Sequence, residues 1–308
     1  MTATFHELKS LGLISFSGAD AASFLHAQLT SDVAALPSPR TQYSGYCSPK
    51  GRLLATFLLW RRQDEILLLL PDALRESVQS RLAKYVLRAR VTVADATARY
   101  ALFGIAGDDG RSALAGLRAP VPGAVHEVVA ADALEITRLP VDRYLVLSPA
   151  DHADVVRAAL AQTAARGEER DWSRLDVAAG IPVVTPASQE QYVPQMVNLD
   201  LIGAVSYTKG CYPGQEIVAR THYLGKLKQR MYRVRTAEVL SAGDPLYSRD
   251  FGPDQASGAI LYAAGGDPGS REALAVIQKS SAAGGSVHLK SLDGPAVELL
   301  PLPYPIPE

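Results

Sequence analysis

The chain has 308 residues, 47% hydrophobic and 20% charged, with a net charge of −1. That balance excludes a disordered chain and a protein that holds nucleic acid through a global basic field. Two cysteines, Cys47 and Cys211, are too few for a disulfide-built secreted scaffold or for a four-cysteine zinc or iron–sulfur site made by this chain alone.

No basic region precedes an apolar stretch at the N-terminus, so the expected compartment is a reducing cytoplasm. Ser17 and Asp20 have capping-box spacing and predict a helix over 17–29, with Phe24, Leu25 and Leu29 on its apolar face. Gln28 follows Phe24 by four residues, shares that face and needs a hydrogen-bond partner. Residues 43–47, 48–51 and 52–60 read as strand, turn and returning strand, and 66–70 as a short buried strand. The run 53–60 is far below the roughly 20 residues of a membrane span. Pro71-Asp72 opens a helix that the spacing of Leu74, Val78, Leu82, Tyr85 and Val86 carries to about Leu87. Strands are predicted over 91–94 and 100–105, a short helix over 112–117, and a second hairpin-like pair over 134–139 and 144–147. A helix over 151–166 would turn Val155, Val156, Ala159 and Leu160 inward, and 172–178 reads as helical too. Hairpins and helices therefore recur in two rounds, about 13–95 and 100–166, as a pair of α+β units. Beyond about residue 227, glycine, proline and short alternating runs such as 231–234 and 259–262 predict a small β-barrel or β-sandwich, with helix only near 271–275. Five prolines in the last fourteen residues predict an extended tail packed on the surface.

The most distinctive segment is Lys209-Gly210-Cys211-Tyr212-Pro213-Gly214-Gln215-Glu216. Tyr212-Pro213-Gly214-Gln215 has the proline and glycine positions of a type II turn, which would fix Cys211 at its base. Lys209 and Arg220 are placed to favour a thiolate at Cys211, against the plainer reading of a small buried cysteine in a turn. Nucleophilic hydrolysis would need a histidine base, and His222 is nearest only in sequence. Arg220, Lys226, Lys228, Arg230, Arg233 and Arg235 form a basic run with no acidic interruption. Such a run suits an anionic ligand, although Arg233 and Arg235 alternate with Val234 as on a solvated strand face. In Tyr192-Val193-Pro194-Gln195-Met196-Val197-Asn198-Leu199, Gln195 and Asn198 can both donate and accept, as an amide-edged planar heterocycle requires; loop capping is the competing use.

The segment Lys209 to Glu216, continuing to Ala219-Arg220, resembles the signature of the YgfZ family, folate-binding proteins related to the T-protein (aminomethyltransferase) of glycine cleavage. Supporting matches run in order along nearly the whole chain: Gln28-Leu29-Thr30-Ser31-Asp32-Val33, Cys47 with Lys50-Gly51, Lys84-Tyr85-Val86, Pro194-Gln195 with Asn198-Leu199, and Pro301-Leu302-Pro303-Tyr304. The resemblance implies an α+β fold, with T-protein-like folate-binding subdomains in a ring-like arrangement and a C-terminal β-barrel. On that basis 1–226 is expected to be the folate-binding region, in units of about 1–98 and 99–226 that interleave, and 227–308 the barrel. It also implies tetrahydrofolate as ligand, with the pterin near Gln195 and Asn198 and with Gln28 and Tyr43 lining the same opening. The basic run would meet the glutamyl end or a partner. The implied role is assembly or repair of iron–sulfur clusters in client enzymes, including radical enzymes that modify tRNA, with Cys211 as the required thiol. Glycine-cleavage chemistry is not expected, since the T-protein's pterin-binding glutamate has no clear match; a folate-dependent one-carbon transferase is the alternative. No metal site, stable nucleic-acid binding or membrane association is expected, and the chain is expected to be a monomer.

Overall fold

The structure, a computed structural model, describes residues 3–252, 254–265 and 270–307. The chain folds into two compact units, and neither is a continuous stretch. One gathers the chain up to Leu25, Val33–Gln42 and Phe57–Trp172; the other gathers His26–Asp32, Tyr43–Thr56 and the chain from Ser173 onward. This division differs from the expected boundary at 226. The barrel shares its unit with 173–226 and with two short N-terminal segments.

In the first unit, a six-stranded sheet has the order Ala165–Arg166, Thr4–Glu7, Tyr100–Ala106, Arg143–Pro149, Leu134–Leu139, Val128–Ala131. Tyr144 lies opposite Ile105 and Val146 opposite Phe103, so alternate residues of both strands share one face. That face is covered by helix Ala153–Leu160 and by Leu114, giving a core of Phe5, Phe103, Ile105, Ile136, Val146, Val156 and Leu160. Gly104 is glycine for a visible reason, since a Cβ there would lie 2.3 Å from the Trp172 ring. Strands Leu11–Ser17, Glu65–Pro71 and Thr92–Asp95, with the end of Leu53–Arg62, form further sheet. Helix Asp72–Ala83 packs on it through buried Leu74, Val78 and Leu82.

In the second unit, Gln229–Thr236, Arg271–Gln278, Gly258–Ala263, Pro245–Tyr247, Val287–Leu289 and Ala296–Leu300 close into a barrel in that order. Val234, Leu246, Ile260, Ala273, Ala275, Ile277, Val287 and Leu289 fill it. Between barrel and sandwich, the chain makes the barrel. On its wall Glu272 accepts from both Arg233 and Arg235, at 2.6 and 2.9 Å, so these two arginines are tied to a carboxylate. Burial would raise the Glu272 pKa, but Arg235 and Arg233 hold it below the usual carboxylate range.

Several expected elements need correction. The helix expected over 271–275 is a barrel strand, and the helix follows it at Lys279–Gly284. Ala-Leu-Ala-Val-Ile has good helix formers, but complete burial in the barrel overrides their propensity. The helix expected to reach Leu87 stops at Ala83; Leu87 has φ +46° and is 87% exposed. The helix expected over 151–166 is Ala153–Leu160, with Val155 67% exposed rather than inward, and Ala165–Arg166 pairs as a strand with Thr4 and Phe5. The first helix is only Ala21–His26, so Gln28 lies beyond it and not on its apolar face. Among the described residues no helix is long and apolar enough to cross a membrane.

Candidate functional site

Four separate stretches of sequence, all within the second unit, meet at the loop that carries Cys211 and the helix that follows it. The turn itself comes first. Gln215 N–H donates to Tyr212 O at 3.2 Å, and Gly214 has φ +80° and ψ 4°, the geometry of a type II turn. The Gln215 side chain reaches back to accept from Tyr212 N–H at 3.3 Å, and helix Gln215–Tyr223 follows. Here the expected turn stands as drawn.

The hairpin turn at 48–51 seats directly on this one. A Cβ on Gly214 would lie 2.4 Å from Ser48 O and 2.6 Å from Gly51 Cα. A Cβ on Gly51, whose φ is +69°, would lie 2.8 Å from Ile217 Cβ. Two glycines with left-handed backbone therefore let two turns touch main chain to main chain.

The segment His26–Asp32 grips the other side. The Lys209 ammonium donates to His26 O and, at 2.7 Å, to Leu29 O, and stands 4.8 Å over the Tyr212 ring. Burial pulls the Lys209 pKa down to about 8, against the opposing pull of Asp32 and Cys211. Thr30 Oγ1 donates to Ala204 O at 2.7 Å and accepts from Gly45 N–H at 2.8 Å. Ser31 and Ser44 join through their hydroxyls at 2.8 Å. His26 Nδ1 meets Asp32 Oδ1 at 3.1 Å.

The fourth stretch is the turn Pro194–Val197 and its end at Asn198. Gln195 is buried; its Nε2 donates to Val218 O at 2.7 Å and to the Tyr207 hydroxyl at 3.2 Å. The Val218 carbonyl fixes which end of the amide is nitrogen. Gln195 Oε1 is buried with no hydrogen-bond partner. Asn198 adopts φ +60°, and its amide is taken up by Met231: Nδ2 donates to Met231 O at 2.8 Å and Oδ1 accepts from Met231 N–H at 3.4 Å. Arg230 donates to Gln195 O and makes a two-pronged pair with Asp200 at 2.7 and 3.0 Å. Gln195, Asp200, His222, Lys226 and Arg230 help line a cavity of about 470 Å³.

The two thiols differ sharply. Cys211 is exposed, whereas Cys47 is 1% exposed and burial pushes its pKa up to about 12, so Cys211 is the reactive candidate. Lys209 is beside Cys211 but spends its ammonium on carbonyls. Arg220 is exposed on the helix after the turn. Gln28 is half-buried with an unpartnered Oε1, and Tyr43 is buried in its strand. Sequence reasoning missed the nearness of His26, which lies 183 residues from Lys209 along the chain. His222, the histidine nearest in sequence, stacks on Tyr207 at 3.7 Å instead.

Comparison with known proteins adds four findings. The GCVT N-terminal domain family matches residues 2–142. The tRNA-modifying protein YgfZ of Sodalis glossinidius is 31% identical, over 99% of this chain and 94% of that protein. Its counterpart from an Enterobacter species is 30% identical with the same coverage. Among solved structures, the glycine cleavage system aminomethyltransferase T of Bartonella henselae superposes with a TM-score of 0.79 at 18% identity, over 98% of this chain and 86% of that one, which shows a shared fold.

Proposed function

The chain belongs to the YgfZ family, and from that premise we propose that it is a cytoplasmic folate-binding accessory protein that serves iron–sulfur enzymes through the thiol of Cys211. The observation that carries this reading is one exposed cysteine on a loop held by the 48–51 turn and by the His26–Asp32 segment, while the other cysteine is buried. A fold that spends two left-handed glycines and a buried lysine on holding one loop is presenting that loop for use.

The folate part of the proposal rests on Gln195. Its Oε1 is a buried acceptor with no partner, and its Nε2 is already held by Val218 O. A pterin offers N–H donors along an amide-like edge, so it fits that unmet need. Asn198 has a different part: its amide is committed to Met231, and it fixes the shape of the turn that carries Gln195. Gln28, with a second unpartnered amide oxygen, and Tyr43 are the further candidates for the same ligand. A bound tetrahydrofolate would supply one-carbon or reducing chemistry; the chain's own residues would bind and orient it. Lys226 and Lys228, both exposed, are the members of the basic run best placed to meet a glutamyl tail.

Calorimetric titration with tetrahydrofolate tests the ligand. Wild-type protein should saturate, and Gln195→Ala should weaken binding about tenfold, the worth of one buried hydrogen bond. Absence of wild-type binding would overturn the folate reading. Cys211→Ala should fold normally yet fail to restore iron–sulfur enzyme activity in a strain lacking the protein. Sustained turnover of a one-carbon donor without any iron–sulfur client would instead establish the transferase alternative.

A further inference from the structure

We infer that the end of helix Gln215–Tyr223, with the loop to Lys228, is the docking surface for the protein that Cys211 serves, and that this partner presents an apolar pocket rimmed with acidic side chains. This rests on the reading of Cys211 as the working thiol, and adds where and by what chemistry the client is held.

A surface helix ordinarily turns its large apolar side chains to the core. This one does the reverse. Among its nine described residues Val218 alone is buried, while Ile217, Tyr223 and the capping Leu224 are 39%, 65% and 83% exposed. Ile217, Arg220 and Leu224 follow the i, i+3, i+7 spacing of one helix face. The two largest exposed groups are also held in place. The Tyr223 ring meets the His222 ring edge-on at 4.7 Å, and His222 stacks on Tyr207 at 3.7 Å. Leu224 N–H donates to Arg220 O at 2.9 Å, and a Cβ on Gly225 would lie 2.8 Å from Thr221 O, so the chain turns tightly just after Leu224. Anchors fixed before binding lose little freedom on docking, which suits them to the centre of an interface.

Charge supplies the partner's chemistry. The basic run divides in two. Arg230, Arg233 and Arg235 are tied to Asp200 and Glu272, whereas Arg220, Lys226 and Lys228 are exposed around Tyr223 and Leu224 in sequence. No acidic residue occurs from Ile217 to Lys228. An acidic rim around an apolar pocket matches both features. Phosphates and bases would use the cations and the tyrosine, but would leave the most exposed group, the aliphatic Leu224, without a partner; an apolar pocket in a protein accommodates it. The helix begins four residues after Cys211 and is about 13 Å long. A stable interface covers about 800 Å² of each partner, a patch roughly 30 Å across. A protein centred on Tyr223 and Leu224 therefore reaches the cysteine loop.

The test uses the full-length protein and, as probe, the purified iron–sulfur enzyme whose activity is lost in a strain lacking this protein. Biolayer interferometry reads the affinity. Wild type should bind, and added salt should weaken the complex because its rim is ionic. Leu224→Asp should weaken binding about thirtyfold or more, the loss of one interface anchor. Leu224→Lys removes the same side chain but brings a charge that suits an acidic rim, so its loss should be severalfold smaller. Tyr223→Asp replaces Leu224→Asp if the latter changes the melting transition. These variants should bind tetrahydrofolate as wild type does. Wild-type affinity in the folded aspartate variants, equal losses for Leu224→Asp and Leu224→Lys, or no binding by wild type overturns the inference and leaves the folate and Cys211 results standing. A wild-type dimer that Leu224→Asp dissociates would assign the surface to a second copy, and binding of a single-stranded oligoribonucleotide that Leu224→Asp abolishes would assign it to RNA; either overturns it. A strain that loses no iron–sulfur enzyme activity would overturn the proposed function, and this inference with it.

Discussion

At the level of single residues, the site depends on what is missing as much as on what is present. Gly214 has φ +80°, and any side chain there would meet Ser48 O at 2.4 Å. Gly214→Ala should therefore lower the unfolding free energy by about 1–3 kcal/mol, from left-handed strain and a backbone clash together. Urea denaturation measures this directly, and a wild-type midpoint would mean that the two turns do not press on each other. Lys209 makes a pH prediction with a definite sign. Its pKa in the folded protein is about 8, below its ordinary value of 10.5. Between those values the unfolded chain holds a proton that the folded chain has released, so this group makes stability rise with pH across that window. The neutral amine can still donate to both carbonyls. Urea titrations at pH values from about 7.5 to 9.5 should show wild type gaining on Lys209→Met as pH rises. A gap that stays flat or shrinks would place the lysine in a wetter setting.

Among the elements, the turn Pro194–Val197 and the barrel strand Gln229–Thr236 are joined by Arg230, which donates to Gln195 O, and by Asn198 at the end of the turn, through two bonds to Met231. Asn198→Ala would leave two buried backbone groups unpaired, and should cost about 2–4 kcal/mol in denaturation experiments. A loss below about 0.5 kcal/mol would mean that water replaces the amide without penalty. Strands were the most legible elements in the sequence. The hairpin around residues 48–51, the buried run 66–70 and the pair 134–139 and 144–147 all follow from alternation, turn residues and short apolar runs. Helix ends were less legible. Apolar spacing continues past Ala83 to Leu87, but Tyr85 and Leu87 are 47% and 87% exposed, and the backbone turns left-handed at Leu87. Strand Arg271–Gln278 was hidden for the opposite reason: alanine and leucine favour helix locally, and only the closed barrel selects the extended form. The site was legible in part. Cys211 and its turn are written in eight consecutive residues, whereas His26 reaches them only through a contact that local pattern cannot encode.

At the scale of the whole molecule, the chain passes repeatedly between its two units before Ser173, and the cysteine loop's supports come from three of the resulting pieces. The barrel thus shares its unit with residues 173–226. A cut at residue 226 would sever Asp200 from Arg230, Asn198 from Met231, and Gly180 O from the Tyr304 hydroxyl, a bond of 2.7 Å. The Arg230–Asp200 pair is nearly buried on both sides, with 10% and 12% exposure, so each half would keep a charge shaped for a partner it had lost. Fragment 1–226 should therefore aggregate or melt without a cooperative transition when made alone, and co-purify with 227–308 when the two are made together. Differential scanning calorimetry and size exclusion distinguish these states. A sharp transition in each isolated fragment would show that the barrel folds on its own and that the contacts across residue 226 are dispensable. Fragment recovery should also govern the thiol. Lys209 can hold His26 and Leu29 only after the chain between them has closed a loop of about 180 residues, a slow, non-local event that needs the rest of the unit in place. Iodoacetamide reactivity of Cys211 in the reassembled pair should match the intact chain, and in fragment 1–226 alone it should match that of an unstructured cysteine. Equal reactivity in the lone fragment would mean that the loop is shaped locally, by its own turn, and owes nothing to the fold around it.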